Sequence, residues 1–379
     1  MKIAFVCPFF GEQAAGGAEF AARSVALHLA DSGIGVDVLT TCLHDLPHGL
    51  TNNVHPAGVS QDGPLTIMRF RAEVPDMSVF PELNDLIIDG GKPTAQEELQ
   101  FVSRHVNSID LIRYLADNEA DYDWLCFIPY LFGTTVFGAQ VAPHKSIMIP
   151  CLHDEGYARL QLVRDAIARV HRLVFNSEAE AHFAKTAYGI DESKGVYVGL
   201  GVETDIEFDA SRFRDRFDMD DPFVLYAGRR DTTKNVHTLI QHFERYKQRH
   251  PSPLKLVLIG PADLPVSNPS KDIVDLGFVT EQEKRDAYAA ATLFCQPSKN
   301  ESFSYVMMEA WLCGTPCLVH EACAVTRDHV VRSGGGLFFD SAVDFEGSVD
   351  LLLSDADLRA RMAASGRRYV LENFAWSRI

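Results

Sequence analysis

The chain has 379 residues with ordinary apolar and charged fractions, a length that calls for two domains rather than one core and gives no sign of disorder. Its 35 basic residues against 52 acidic ones give a net charge of −17, which leaves no basic stripe for a nucleic acid, although a small phosphorylated ligand needs only a few placed cations. No apolar run approaches the roughly 20 residues that span a bilayer, and Met1-Lys-Ile-Ala-Phe-Val-Cys-Pro8 is too short for a signal sequence. The expected location is the cytoplasm, with peripheral contact at the inner face of a membrane left open.

Short apolar runs alternate with longer amphipathic ones, the pattern of parallel sheets with crossover helices. The expected order begins with strand Ile3–Phe9, helix Gly17–Ser32 and strands Val36–Thr41 and Leu65–Phe70. Val74–Gln96, rich in Pro, Gly and Asp, fits neither element type and reads as a long loop or an extra hairpin. Helix Glu97–Asn118, strands Trp124–Tyr130, Ser146–Leu152 and Leu173–Asn176, helix Glu178–Tyr188 and strand Val196–Gly199 complete the first half. Glycines in Gly199-Leu-Gly-Val-Glu-Thr204 mark the boundary, giving domains 1–200 and 201–379. The second half reads as strand Phe223–Gly228, helix Asn235–His250, strands Leu254–Gly260 and Ile273–Phe278, helix Glu281–Ala291, strand Leu293–Pro297, helix Ser304–Leu312 and strand Pro316–His320. The fold class is therefore α/β: two Rossmann-like domains with parallel sheets facing across a cleft, and ligand at the carboxyl ends of the strands.

Eight cysteines raise the question of metal or disulfides. Most lie in or beside strand-like runs, and Cys313, Cys317 and Cys323 have no partner pair at finger-like spacing, so buried thiols are expected and no metal.

Four segments carry chemistry. After the first strand, Pro8-Phe-Phe-Gly11 and Gly16-Gly-Ala-Glu19 open a helix. Gly16 and Gly17 would let backbone approach a ligand there, or simply make a tight turn, and Gly-x-Gly-x-x-Gly is absent. Pro150-Cys-Leu-His153-Asp-Glu155 ends another strand; a lone histidine is more often structural or surface than catalytic. In Tyr226-Ala-Gly-Arg-Arg-Asp-Thr-Thr-Lys-Asn235, a strand end is followed by Arg229, Arg230 and Lys234. Such cations suit a diphosphate leaving group, and the alternative is a solvated loop. Glu301-Ser-Phe-Ser-Tyr-Val-Met-Met-Glu309 places one carboxylate on a loop after a strand and a second about two turns into the next helix. Amides of Phe303, Ser304, Tyr305 and Val306 at that helix start favour an anion, whereas the bland reading is an exposed helix face.

The Glu-x7-Glu string resembles the motif of retaining, nucleotide-sugar-dependent glycosyltransferases of the family-4 type, whose architecture is called GT-B. Gly16-Gly-Ala-Glu19, the Gly228-Arg229…Lys234 string and His153 are similar to further elements of that family, as are Val174-Phe-Asn-Ser-Glu178, Val198-Gly-Leu-Gly-Val-Glu203, Leu258-Ile-Gly-Pro261 and Leu276-Gly-Phe-Val279. The resemblance implies that Arg229 and Lys234 hold the donor pyrophosphate, Glu301 the sugar hydroxyls, Glu309 the ribose and Val279 the base, with His153 near the donor sugar. It also implies a metal-independent hexosyltransferase of polysaccharide biosynthesis, acting on a UDP- or GDP-sugar and a glycan or lipid-linked acceptor, with no cofactor. Ser304 stands where the family commonly has glycine, and Arg230 where it is usually apolar. Family members usually continue beyond the point where Glu372-Asn-Phe-Ala-Trp-Ser-Arg-Ile379 closes this sequence, into a helix that crosses to the first domain. The rival readings are a GT-B sugar-nucleotide epimerase, a phosphorylase with a pyridoxal-bound lysine, and a non-catalytic nucleotide-sugar-binding partner subunit.

Overall fold

The computed structural model describes residues 1–11, 16–46, 48–190, 193–230, 232–261 and 270–379. Two compact units comprise Met1–Leu200 and Gly201–Ile379.

In the first unit the strands are β1 (Lys2–Val6), β2 (Gly35–Thr41), β3 (Gly58–Asp62), β4 (Leu65–Phe70), β5 (Trp124–Phe127), β6 (Ser146–Met148), β7 (Arg172–Phe175) and β8 (Gly195–Tyr197). Among the described residues they form one sheet in the order β3-β4-β2-β1-β5-β6-β7-β8, parallel throughout except for β3 on β4. Its helices are α1 (Gly17–Asp31), α2 (Phe80–Ile88), α3 (Ala95–Arg104), α4 (Ile109–Asn118), α5 (Gly133–Gly138), α6 (Gln161–Arg169) and α7 (Glu178–Tyr188). A core built from Val6, Phe101, Leu111, Leu125, Phe127 and Ile167 packs between helices and sheet.

Two expectations change here. Val74–Gln96 is not structureless: it contains α2, with Pro81 in its first turn and Leu83 and Ile87 buried one turn apart. The expected single helix Glu97–Asn118 is two helices. Val106 adopts φ 49° at the break, and Ser108 caps α4 by accepting from the Leu111 N–H. The break has a use: the His105 and Val106 carbonyls accept from Gly133 and Thr134, at the start of α5. α3 begins with a reciprocal capping box between Thr94 and Glu97.

The second unit holds β9 (Phe223–Ala227), β10 (Lys255–Ile259), β11 (Ile273–Gly277), β12 (Leu293–Gln296), β13 (Cys317–His320) and β14 (Gly336–Phe339). Among the described residues these make an all-parallel sheet, β11-β10-β9-β12-β13-β14. Its helices are α8 (Ala210–Phe217), α9 (Val236–Arg249), α10 (Glu281–Ala290), α11 (Tyr305–Leu312), α12 (Ala324–Ser333), α13 (Ala342–Ser354) and α14 (Ala356–Asn373). Fully buried Leu225 and Phe294 pair across β9 and β12 at the centre of the sheet. α11 is apolar on almost every side, with Met307, Met308, Ala310, Trp311 and Leu312 buried, so packing rather than amphipathicity fixes it. Trp311 is held by its indole N–H on the Gly335 carbonyl (2.8 Å) and by an edge contact with Tyr369 of α14.

Each sheet reverses direction at one place. In the first unit the chain runs outward from β1 to one edge and returns on the other side at β5; in the second the same happens between β9 and β12. The loops leaving the carboxyl ends of such strand pairs diverge and leave a crevice for ligand.

Candidate active site

The second unit places charged groups at its switch point. β9 leads through Gly228 to Arg229 and a short 3-10 turn, Thr232–Lys234; β12 leads through Pro297 to Glu301. The structure joins these loops. Lys234 Nζ lies 2.7 Å from Glu301 Oε1, both side chains largely enclosed. Gln296, the last residue of β12, is buried and donates its amide to the same Glu301 oxygen (3.2 Å) and to Ser304 Oγ (3.5 Å). Because the carboxylate only accepts, the amide nitrogen of Gln296 must face it, which leaves the buried Gln296 Oε1 with no hydrogen-bond partner among the described residues. Asn235, also buried, donates to the Pro297 carbonyl (3.0 Å) and ties the first loop to the second.

Arg229 stands at the strand end, its carbonyl accepting from the Tyr226 hydroxyl (2.5 Å). Its neighbour has a different job. Arg230 is almost wholly enclosed, paired with Asp275 of β11 (2.5 Å) and donating to the Gly260 carbonyl (2.9 Å). It therefore fastens the ends of β9, β10 and β11 together. Burial raises the Asp275 carboxyl, but the hydrogen bonds from Arg230 and the Gly277 N–H, with the Arg230 charge, together hold the group below the usual range. Asp231, inside the same string, lies outside the described residues.

Ser304 is the cap residue of α11 and sits in the left-handed region at φ 73°, ψ 72°, with no side-chain cap bond. This is the backbone conformation for which glycine is the easy choice, so the family's usual residue and the one present here answer the same geometric demand. Phe303 is buried against Tyr305, His329 and Phe374; the Tyr305 and Val306 amides open the helix. Glu309 is the fifth residue of α11, just over one turn in rather than two. It does not share partners with Glu301. Instead Lys284 of α10 lies 3.2 Å from Glu309 Oε2, and the buried Tyr288 hydroxyl donates to the same oxygen (3.2 Å). Burial lowers the Lys284 ammonium, yet the charges of Glu309 and Glu281 prevail and its pKa is raised. Val279 immediately precedes Thr280, the cap of α10, so the proposed base and ribose contacts are linked through one helix.

Residues 207–369 match the family described as "Glycosyl transferases group 1". This segment is a group 1 glycosyl transferase domain. The chain is 30% identical over 238 residues to a D-inositol 3-phosphate glycosyltransferase from Xylanimonas cellulosilytica, covering 55% of each chain, so it spans about half the length of that curated relative. Over 99% of the chain the fold is similar to sucrose-phosphate synthase from Thermosynechococcus elongatus (TM-score 0.74, 18% identity, 95% of that chain). A similar match is found to Anabaena Alr3699/HepE in complex with UDP and glucose (TM-score 0.70, 17% identity, 99% of this chain and 96% of that one). The architecture is GT-B, with two Rossmann-like units. Lys234, Glu301, Ser304, Glu309, Arg229 and Val279 all lie inside the group 1 domain.

Outside that domain, the first unit carries the other candidates. Gly16 precedes α1 at φ 151°, and a Cβ there would meet Glu19 Oε2 at 2.0 Å, so the carboxylate of the first turn folds back over the turn that only glycine permits. Gly17 begins α1, and a Cβ there would meet none of the described residues within 4 Å. His153, beyond β6, has its Nε2 3.2 Å from Glu155 Oε1, and Glu155 also accepts from the buried Tyr130 hydroxyl (2.5 Å). Burial pushes Glu155 up, but the His153 hydrogen bond and charge, with Tyr130 and His105, bring it net below the usual range. Asp154 points elsewhere, to Arg159 (2.6 Å). A second glutamate, Glu180 of α7, was not visible as functional in the sequence. Fully buried, it accepts from the Leu152 N–H (2.5 Å) and the Asn176 N–H (2.6 Å), pinning the segment that bears His153 to the end of β7. All eight cysteines are buried, their thiols pushed up by desolvation where a shift is resolved. No helix among the described residues is long and apolar enough to cross a membrane.

Proposed function

We propose that the protein transfers a hexose-type sugar from a UDP- or GDP-sugar to a hydroxyl of a glycan or glycolipid acceptor, with retention of the anomeric configuration. The observation that carries this reading is the Lys234–Glu301 pair bridging the loops after β9 and β12, at the switch point of the group 1 domain. A cation beside a carboxylate at that place offers one group for a diphosphate and one for sugar hydroxyls.

In this reading Arg229 and Lys234 stabilise the departing diphosphate as its charge grows. The amides from Phe303 to Val306 hold its distal phosphate, with Ser304 turning the chain toward them. Glu301 accepts from sugar hydroxyls, Glu309 from the ribose, and the Val279 backbone meets the base. The bond from the anomeric carbon to the diphosphate oxygen breaks, the acceptor oxygen bonds on the same face, and its proton passes to the departing phosphate oxygen. The part of His153, a hydrogen bond to a sugar hydroxyl, rests on the family resemblance and on its pairing with Glu155. Gly16 and Gly17 are assigned close backbone approach to ligand on the same basis. The HepE structure holds UDP and glucose, which makes UDP the first donor base to test.

The test is product analysis by NMR with UDP- and GDP-hexoses and a panel of acceptors that includes D-inositol 3-phosphate, the acceptor in the names of the curated relatives. A new glycosidic bond with the donor's anomeric configuration supports the reading. An inverted product would refute the same-face step. Consumption of the nucleotide sugar without acceptor would indicate an epimerase, and nucleotide binding without turnover a partner subunit.

A further inference from the structure

The loop that follows β2 brings together three metal-ligating side chains that the proposed transfer does not use. Asp45 is fully enclosed, and its two carboxylate oxygens face two imidazoles: His44 Nδ1 lies 3.0 Å from Oδ2, and His48 Nδ1 lies 2.6 Å from Oδ1. The donor atoms of all three residues fall within 4.8 Å of one another. We propose that His44, Asp45 and His48 form a binding site for one divalent transition-metal ion of the zinc type.

The donor set fits that class and disfavours others. Two imidazole nitrogens and one carboxylate oxygen suit Zn²⁺, Co²⁺, Ni²⁺ or Fe²⁺, whereas Mg²⁺ and Ca²⁺ prefer all-oxygen shells. Metal–ligand bonds of about 2.0–2.2 Å require donors roughly 3–4.4 Å apart. The present spread is close to that range. His48 is 63% exposed and has room to turn, while enclosed Asp45 is fixed. In the structure as it stands, a ring N–H fills the space between His48 Nδ1 and the carboxylate, while the buried His44 Nδ1 makes no hydrogen bond among the described residues. The metal takes the place of that proton and releases it.

The surroundings hold the ligands in position. The loop leaves β2 with Cys42 N–H on the Phe70 carbonyl (2.8 Å) and returns with His55 N–H on the Cys42 carbonyl (2.8 Å). Thr41 Oγ1 donates to the Pro8 carbonyl and accepts from Leu43 N–H, one residue before His44. The His55 ring stacks on His44 at 5.5 Å and 15°, and the His48 backbone N–H donates to Asp45 Oδ1 (3.0 Å). A shell of this kind, fixing ligand orientation, separates a built site from surface histidines. The sequence hid it because His44 and His48, although spaced four apart as on a helix face, lie on the loop after β2, where that spacing carries no helical signal.

The experiment is calorimetric titration of Zn²⁺ into the full chain after chelator treatment, with Mg²⁺ as control, on the native protein, His48→Ala and His144→Ala. His48 is chosen because its exposed ring can be removed without opening the core, and His144 is an exposed histidine remote in sequence. The expected result is one Zn²⁺ per chain, retained in H144A and weakened by about tenfold or more in H48A. Co²⁺ should give a visible ligand-field band in the native protein that H48A lacks. The absence of a stoichiometric Zn²⁺ site, or one that H48A leaves unchanged, would overturn the proposal. Neither result bears on sugar transfer, which is assayed separately.

Discussion

The Lys234–Glu301 pair gives the reading of the donor site its sharpest test, because the two residues are satisfied by each other before any donor arrives. At 2.7 Å and an effective dielectric of about 20 the gross attraction is about 6 kcal/mol. Desolvation of two largely enclosed groups takes back most of it, so the net stabilisation is about 1–3 kcal/mol. A diphosphate must compete with Glu301 for the ammonium. Removing the carboxylate charge in Glu301→Gln should free Lys234 and tighten nucleoside diphosphate binding by about 1 kcal/mol, roughly fivefold, while turnover falls. Lys234→Met should act in the other direction on binding, weakening the nucleotide. It should also remove about 2–4 kcal/mol of transition-state stabilisation, a loss of roughly 30- to 900-fold in kcat/KM. Titration calorimetry with UDP and GDP gives the binding arm, and initial rates give the other. If E301Q weakened the nucleotide as much as K234M, or K234M kept turnover within threefold of native, the assignment of lysine to phosphate and glutamate to sugar would fail.

Three further outcomes follow from the same structure. Arg230→Ala strips the enclosed partner of Asp275 and should lower stability by about 3 kcal/mol, read as a shifted denaturant midpoint; an unchanged midpoint would mean that Arg230 is not the strut described here. Ser304→Gly relieves a left-handed serine at φ 73° and should raise stability by up to about 1 kcal/mol, less if the contact from Gln296 matters; a loss of stability would show that the hydroxyl holds the loop. Burial pushes the His329 pKa down to about 3, so between about pH 6.5 and 3 the unfolded chain takes up a proton that the folded one refuses, and stability falls as pH falls, by about 1.4 kcal/mol per unit. His329→Gln keeps a polar partner for the Tyr369 hydroxyl without titrating, so its loss of stability between pH 7.5 and 5 should be about 2 kcal/mol smaller than that of the native protein; equal losses would refute the attribution.

What the sequence revealed was whatever is written in consecutive residues. Central strands such as Phe223–Ala227 and Leu293–Gln296 are unbroken apolar runs because both faces of a parallel sheet are covered. The charged strings around Arg229 and Glu301 stood out because they follow such runs. Edge strand β3, Gly58-Val-Ser-Gln-Asp62, has no such signature, since nearly all of it is exposed and it rests on antiparallel pairing with β4 and an ion pair from Arg23 to Asp62. The break at Val106 was hidden because amphipathic spacing continues across it; only the need of Gly133 and Thr134 for carbonyl partners explains it. The polar residues that organise the sites were the least legible. Glu180 has the position of any first-turn helix glutamate, and Lys284 and Tyr288 read as one face of α10. Their meaning lies in partners 21 to 28 residues away, Glu309 and Leu152, that no local pattern announces.

Those buried struts also explain how a donor could be received without rebuilding the domain. Arg230 fixes the loop after β9 to the ends of β10 and β11, and Asn235, held at φ 56° with its amide on the Pro297 carbonyl, fixes the same loop to the one after β12. Lys234 lies between these two anchors, so its backbone is held from both sides, and its side chain is paired with Glu301. In the proposed reading, exchange of Glu301 for a phosphate oxygen would need only side-chain rotation. The cost of ordering the loop is met on folding rather than on binding, which is the condition under which a fixed cation stabilises a transition state most.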